Sequence, residues 1–295
     1  MPASPMPAAE VAIDRGVVRR LLAAQFPEWS ALPVEWLTEG WDNAIFRLGA
    51  EFVVRLPRRQ VAADLVAKEQ RWLPELAGRL PLAIPAPIGR GVAGEGYPWP
   101  WSVCPWLPGD MAAVAPPGDL AEAAATLGRF VAALARPAPP GGPRNELRGV
   151  PLAARDDRTR ADIAAADGLI DAAAVTAAWE EALRVPPWAG APRWIHGDLH
   201  PANILVADGR LRAVIDFGDL AVGDPATDLM SAWMMLPAVH RPVFRAEAGA
   251  DDDSWARGRG WALSVGVACV AHSSDNPVLA AIGLRTVRAV LADLP

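Results

Sequence analysis

One stretch narrows the possible folds more than any other. It reads His196-Gly197-Asp198-Leu199-His200-Pro201-Ala202-Asn203, then Ile204–Val206, a turn, Leu211–Ile215, and Asp216-Phe217-Gly218. Asp198 and Asn203 have four residues between them, a length at which a loop folds back and turns both side chains to one point. The apolar runs flank Ala207-Asp208-Gly209-Arg210, and Asp-Gly in that setting predicts a two-stranded hairpin. The hairpin returns the chain and presents Asp216 beside Asp198 and Asn203. Three oxygen-bearing side chains around one point suit Mg²⁺, which takes one or two carboxylates together with substrate phosphates and water. One carboxylate is then left over to orient or deprotonate a hydroxyl.

The order is that of the protein-kinase catalytic loop, H-R-D-x-x-x-x-N, followed by D-F-G. Gly197 stands where the arginine would be. Residues 196–205 and 215–228 resemble the aminoglycoside phosphotransferase and choline-kinase-like family, and the resemblance runs from about residue 32 to the end. It implies an α+β, two-lobed, protein-kinase-like fold. A small antiparallel β-rich N-terminal lobe would span residues 1–106, and a larger helical lobe carrying the catalytic hairpin residues 107–295. It implies ATP or GTP and Mg²⁺ as cofactors.

The same resemblance assigns roles to residues: Asn203 and Asp216 would hold the metal, and Asp198 would orient or deprotonate the hydroxyl. His196 joins Asp198 in the catalytic set, as a residue that fixes the loop more than as ligand or base; His200 either approaches the site or packs. Glu39-Gly40-Trp41-Asp42-Asn43-Ala44 becomes the turn that covers the nucleotide, making Gly40, Asp42 and Asn43 nucleotide-binding candidates, since backbone N–H groups in such a turn cradle phosphates. Phe52-Val53-Val54-Arg55 matches the V-A-I-K strand, with Arg55 in place of lysine: always charged, and able to fork onto two oxygens. Glu69 resembles the partner that steadies this cation. Val103-Cys104-Pro105-Trp106 resembles the inter-lobe hinge, where the Cys104 carbonyl and Trp106 N–H would meet adenine. Asp224 and Asp228 are structural supports that cap loop and helix starts.

The rest of the chain gives a coarse outline. Residues 1–9 read as disordered. Helical spacing marks residues 10–25 and Val61–Leu76, the latter with Ala63, Val66, Ala67, Gln70 and Leu73 on one side. Strands are expected at Val34–Leu37, Ala44–Leu48, Phe52–Leu56 and Tyr97–Trp106, with Pro81–Pro87 extended. Beyond residue 107, helices are expected at Leu120–Ala135, Asp162–Leu183 and Asp228–Met235, and two or more after Pro242; Arg136–Gly149 is a loop.

Composition excludes several classes. With 28 Lys and Arg against 34 Asp and Glu, the chain lacks the basic excess of a nucleic-acid binder. Cys104 and Cys269 are the only cysteines, which excludes a disulfide scaffold and favours a reducing cytoplasm. No signal peptide and no apolar run of membrane-spanning length is found, so no membrane partner is expected. A monomer or homodimer is expected.

The acceptor is expected to be the hydroxyl of a small molecule, with a cationic aminoglycoside antibiotic leading. Asp156, Asp157 and Asp219 are acceptor-binding candidates, since carboxylates lining a cleft attract a polycation. Other readings stand beside this one: a kinase of another antibiotic, an amino alcohol or a sugar, and, from a different class, a nucleotide-binding pseudokinase. A zinc or iron triad, His196-x-Asp198-x-His200, is a further rival, weakened because the chain has only four histidines.

Overall fold

A computed structural model describes residues 7–294, which divide into two compact units. The smaller comprises the described residues to 79 and residues 83–107; the larger comprises 80–82 and 108–294. Of the tail expected to be disordered, residues 1–6 lie outside the described residues, and 7–9 are irregular chain.

In the smaller unit, α1 (Arg15–Gln25) opens on Asp14, whose carboxylate accepts from the Val17 N–H and caps the first turn. Three strands follow, β1 (Val34–Glu39), β2 (Asn43–Leu48) and β3 (Phe52–Pro57), and then α2 (Gln60–Ala77). Two further strands, β4 (Gly89–Gly91) and β5 (Trp101–Pro105), complete an antiparallel sheet in the order β1-β2-β3-β5-β4. Strict alternation in β2 sends Ala44, Phe46 and Leu48 into a core shared with Val18, Leu21, Val54, Trp101 and Val103.

Two expectations are corrected here. The strand expected at Tyr97–Trp106 is regular only from Trp101, because Gly94 and Tyr97 close a turn by exchanging hydrogen bonds. The inner face of α2 is also rotated from the expected stripe: Ala67 is exposed, whereas Glu69 is buried with Ala63, Val66 and Leu73.

The larger unit is mainly helical. After β6 (Asp110–Met111) come α3 (Leu120–Leu134), α4 (Asp156–Ala165) and α5 (Ala172–Leu183). The single helix expected over 162–183 is thus two, interrupted where Gly168 takes a φ of +80°. Short strands follow: β7 (Arg193–Ile195), β8 (Ile204–Ala207), β9 (Arg210–Val214) and β10 (Ala221–Gly223). β8 and β9 form the hairpin, with Asp208 and Gly209 both at positive φ in its turn, and β6 pairs with its β8 edge. β7 and β10 pair separately.

The segment expected as the helix Asp228–Met235 begins as a 3₁₀ stretch, Pro225–Met230, before α6 (Ser231–Met235). α7 (Arg241–Ala248), α8 (Asp252–His272) and α9 (Pro277–Leu291) close the chain. Trp179, Trp233, Trp261, Phe130 and Phe244 fill the interior of this unit.

Candidate active site

The loop 196–203 leaves β7 and enters β8, and hydrogen bonds to backbone fix both ends. The buried Asp228 carboxylate accepts from the N–H groups of His196 at 2.7 Å and Gly197 at 2.9 Å. Asp228 therefore holds the loop from below, and no helix N–H is bonded to its carboxylate; the expected capping belongs to Asp224, which accepts from the Ala226 N–H at 3.0 Å. Burial pushes the Asp228 carboxyl up, while His196 and the two N–H groups pull it down. Gly197 adopts a φ of +86°, and a Cβ there would lie 2.7 Å from the Asp219 carbonyl oxygen. The arginine of the kinase motif is sterically excluded.

His196 ties two segments of backbone together. Its Nε2 bonds the Ile215 carbonyl at 3.0 Å, and its Nδ1 accepts from the Asp198 N–H at 3.2 Å. Both ring nitrogens are engaged on backbone, which also removes it as a metal ligand. Among the described residues, no group of three or more His, Cys, Asp or Glu is arranged to hold a metal, so the zinc or iron triad falls.

Asp198 sits at the convergence. Its Oδ2 receives the Asn203 amide at 3.2 Å and His200 Nε2 at 3.2 Å, and its Oδ1 receives Arg148 Nη2 at 3.4 Å. The Asn203 amide also bonds the Asp198 carbonyl at 2.9 Å, so the loop closes on itself. Burial acts to raise the Asp198 carboxyl, but His200 first, then Arg148 and His196, outweigh it and hold it well below the usual carboxylate range. His200, buried but facing Asp198, is correspondingly raised. His200 thus approaches the site.

The hairpin returns the chain to the loop. The Ile215 N–H bonds the Asn203 carbonyl at 2.9 Å, setting Asp216 next to the Asn203 end of the loop. Asp216 itself takes a left-handed φ of 63°. Such a conformation in a non-glycine residue is uncommon and costs energy that surrounding structure must support.

In the smaller unit, Arg55 and Glu69 form a forked pair. Nη1 donates to Oε2 at 2.7 Å and Nη2 to Oε1 at 3.3 Å, with the Glu69 side chain 2% exposed and that of Arg55 12%. The turn expected to cover the nucleotide is tied inward. The Gly40 N–H bonds the Asn43 carbonyl at 2.9 Å, and the Asp42 carboxylate meets Arg59 at 3.1 Å. The cradle role of the Gly40 N–H is corrected accordingly: that donor closes the turn.

The backbone groups expected to meet adenine are already paired. The Trp106 N–H donates to the Glu51 carbonyl at 2.7 Å, and Cys104 lies opposite Val53 in the same ladder. Both residues therefore direct backbone groups at β3, and alternation turns those of Pro105 and Leu107 the other way. Cys104 is buried, and its thiol is pushed up to about 12 by that burial.

The acceptor candidates are scattered. Asp156 bonds Arg160 and the Trp179 indole, each at 2.8 Å; Asp157 is exposed; Asp219 is held by the Asn145 amide at 2.8 Å and faces Arg148 Nε at 3.3 Å. Arg148 and Asn145 escaped the sequence reading. They lie in the expected loop, and no local pattern marks them. The loop is moored on β10 and the residue after it, where Val222 N–H bonds the Pro143 carbonyl and Asp224 N–H the Gly149 carbonyl.

A family model described as the phosphotransferase enzyme family matches residues 34–261. The chain belongs to this family. The phosphotransferase also has the fold of solved relatives. Aminoglycoside 2'-phosphotransferase-IIIa in its GDP complex superposes with a TM-score of 0.68 at 22% identity, over 95% of this chain and 99% of that one. The macrolide 2'-phosphotransferase MphH from Brachybacterium faecium gives 0.61 at 23% identity, over 92% and 97%. The streptomycin–ATP complex of APH(2")-IIa gives 0.58 at 17%, over 90% and 92%. No curated protein matches the phosphotransferase in sequence. Its fold is thus α+β and protein-kinase-like, with a small antiparallel β-rich unit and a larger helical one. Among the described residues, no helix is long and apolar enough to cross a membrane.

Proposed function

We propose that this phosphotransferase moves the γ-phosphate of ATP to a hydroxyl of a small molecule. One observation carries the reading: Asp198 is locked by Asn203 and His200 on one oxygen, at the loop end that the hairpin joins to Asp216. A carboxylate held so far below its ordinary range stays ionised and is a weak base. It orients the attacking hydroxyl more than it removes the proton early, which suits a loose phosphoryl-transfer transition state. Arg55, steadied by Glu69, would fork onto phosphate oxygens, and Pro105 C=O with Leu107 N–H would take the base. Nucleotide use is supported by relatives solved with GDP and with ATP.

The donors fit Mg²⁺. The Asn203 amide nitrogen is bound to Asp198, which leaves the side-chain carbonyl oxygen turned away, and the Asp216 carboxylate has one long bond, 3.4 Å from the Gly218 N–H. An amide oxygen and a carboxylate form the hard, incomplete set that Mg²⁺ shares with substrate phosphates. When bound, the ion would neutralise charge on the phosphates.

An antibiotic-type small molecule, with an aminoglycoside leading, remains the acceptor we favour, although Asp156 and Asp219, two of the three carboxylates meant to attract a polycation, face arginines. An ATP-consumption screen over aminoglycosides, macrolides, sugars and amino alcohols tests the reading. Hydroxyl-dependent ADP release supports it; nucleotide binding without turnover of any acceptor would establish the pseudokinase instead.

A further inference from the structure

The acceptor side of Asp198 is occupied by an arginine. Arg148 Nη2 lies 3.4 Å from Asp198 Oδ1, the oxygen that His200 and Asn203 leave open, and Nε lies 3.3 Å from Asp219 Oδ2. Both contacts are long, Nε makes no hydrogen bond, and the side chain is 16% exposed. The guanidinium therefore keeps donors for a further partner. Its stem packs on Gly197, so it is placed by the same left-handed turn that places Asp198.

A second arginine reinforces the charge. Arg155, 2% exposed, has Nε and Nη1 buried without hydrogen bonds, and burial with Arg148 and Arg158 nearby depresses it to about 10. A cavity of about 240 Å³ adjoins Arg148, walled by Arg144, Asn145 and Trp188. Its one carboxylate, Asp224, is held by Arg257 at 2.8 Å. Nothing on these walls offers an unpaired anion to an ammonium group.

We infer that Arg148 determines acceptor specificity: it fills the place beside Asp198 that a substrate ammonium would need, so the acceptor presents an oxygen function, a carboxylate, carbonyl or ether, next to its reacting hydroxyl. This rests on the phosphotransfer reading above. An ammonium brought there meets like charge in a partly buried setting, where repulsion is poorly screened. An oxygen acceptor gains a charge-assisted hydrogen bond from a guanidinium already fixed in place. The field of Arg155 acts in the same sense.

The test compares wild type, Arg148→Gln and Arg148→Lys, each full-length and loaded with Mg·ADP. Calorimetric titration uses kanamycin as polycation and gluconate as hydroxy acid. Arg148→Gln should tighten kanamycin and weaken gluconate, each by on the order of tenfold. Arg148→Lys, which keeps the charge, should stay near wild type for kanamycin and guards against a folding artefact. Tight wild-type binding of kanamycin that Arg148→Gln leaves unchanged or weakens would overturn the inference, as would a variant that shifts neither probe. ATP consumption with the acceptor panel is read in parallel. Failure of all turnover, with the opposite shifts present, would sink the phosphotransfer reading and leave the charge selection of this pocket standing.

Discussion

The two units hold their key charges by different means. In the β-rich unit, Arg55 and Glu69 hold each other: two side chains, two hydrogen bonds, and one of the partners on a helix face. In the helical unit, Asp198 is held by a loop whose backbone is itself pinned by Asp228, His196 and Asn203. A pair fails when either member is removed, whereas a backbone-anchored loop can lose a side chain and keep its shape. Removing chemistry and removing structure should therefore separate in the second case and coincide in the first.

The largest effect is expected from Asp198→Asn. Turnover should fall on the order of 10²–10⁴-fold. Nucleotide affinity and melting temperature should hold, because Asp228 and His196 still shape the loop. Turnover within a few-fold of wild type would remove Asp198 from its role. Asp228→Ala attacks the anchor instead. It leaves two buried N–H groups without acceptors, at about 2–4 kcal/mol, so chemical denaturation should show lower stability together with lost turnover. A variant of full stability would mean that another acceptor replaces the carboxylate.

For the pair, Arg55→Ala and Glu69→Gln should each lower kcat/KM for ATP. The double variant should cost less than their sum, with a coupling of about 1–3 kcal/mol. Arg55→Lys should recover part of the loss, since charge returns without the fork. Additive single effects would dissolve the unit. The smallest effect is a control in the helical unit. Asp251 caps α8 by accepting from the Ser254 N–H at 2.7 Å, and the Ser254 hydroxyl and N–H together lower its carboxyl. Asp251→Ala should cost about 1 kcal/mol near neutral pH with turnover intact. With a depressed folded value, the stabilisation is complete above the ordinary carboxylate range and disappears as pH falls through the lowered one. Melting curves of both proteins should therefore converge in acid, and a gap that persisted there would point to lost packing.

What the sequence made legible was local. Asp198, Asn203 and Asp216 are linked by a short loop and one hairpin, so spacing and turn chemistry suffice to bring them together. The Arg55–Glu69 pair was reached through the resemblance. Distant contributors were not legible. Arg148 meets Asp198 across 50 positions, from a Pro- and Gly-rich loop with no periodicity to betray where it leads. Asp228 is legible as a support but its partners are not, because its cap-like setting in sequence hides a carboxylate turned toward residues 31 and 32 positions earlier. That the Trp106 N–H is taken was not legible because its acceptor, the Glu51 carbonyl, lies in the turn before β3, some 55 positions away.

The left-handed Gly197 has a consequence for how such a loop can change. Because a Cβ there would run into the Asp219 carbonyl oxygen at 2.7 Å, the arginine that the protein-kinase motif carries at this place cannot be accommodated without a backbone shift. A chain exploring that substitution would first have to move the backbone after Phe217, which also carries Asp219 toward Arg148. The loop and the Asp219 segment are thereby sterically linked, and change at either is constrained by the other.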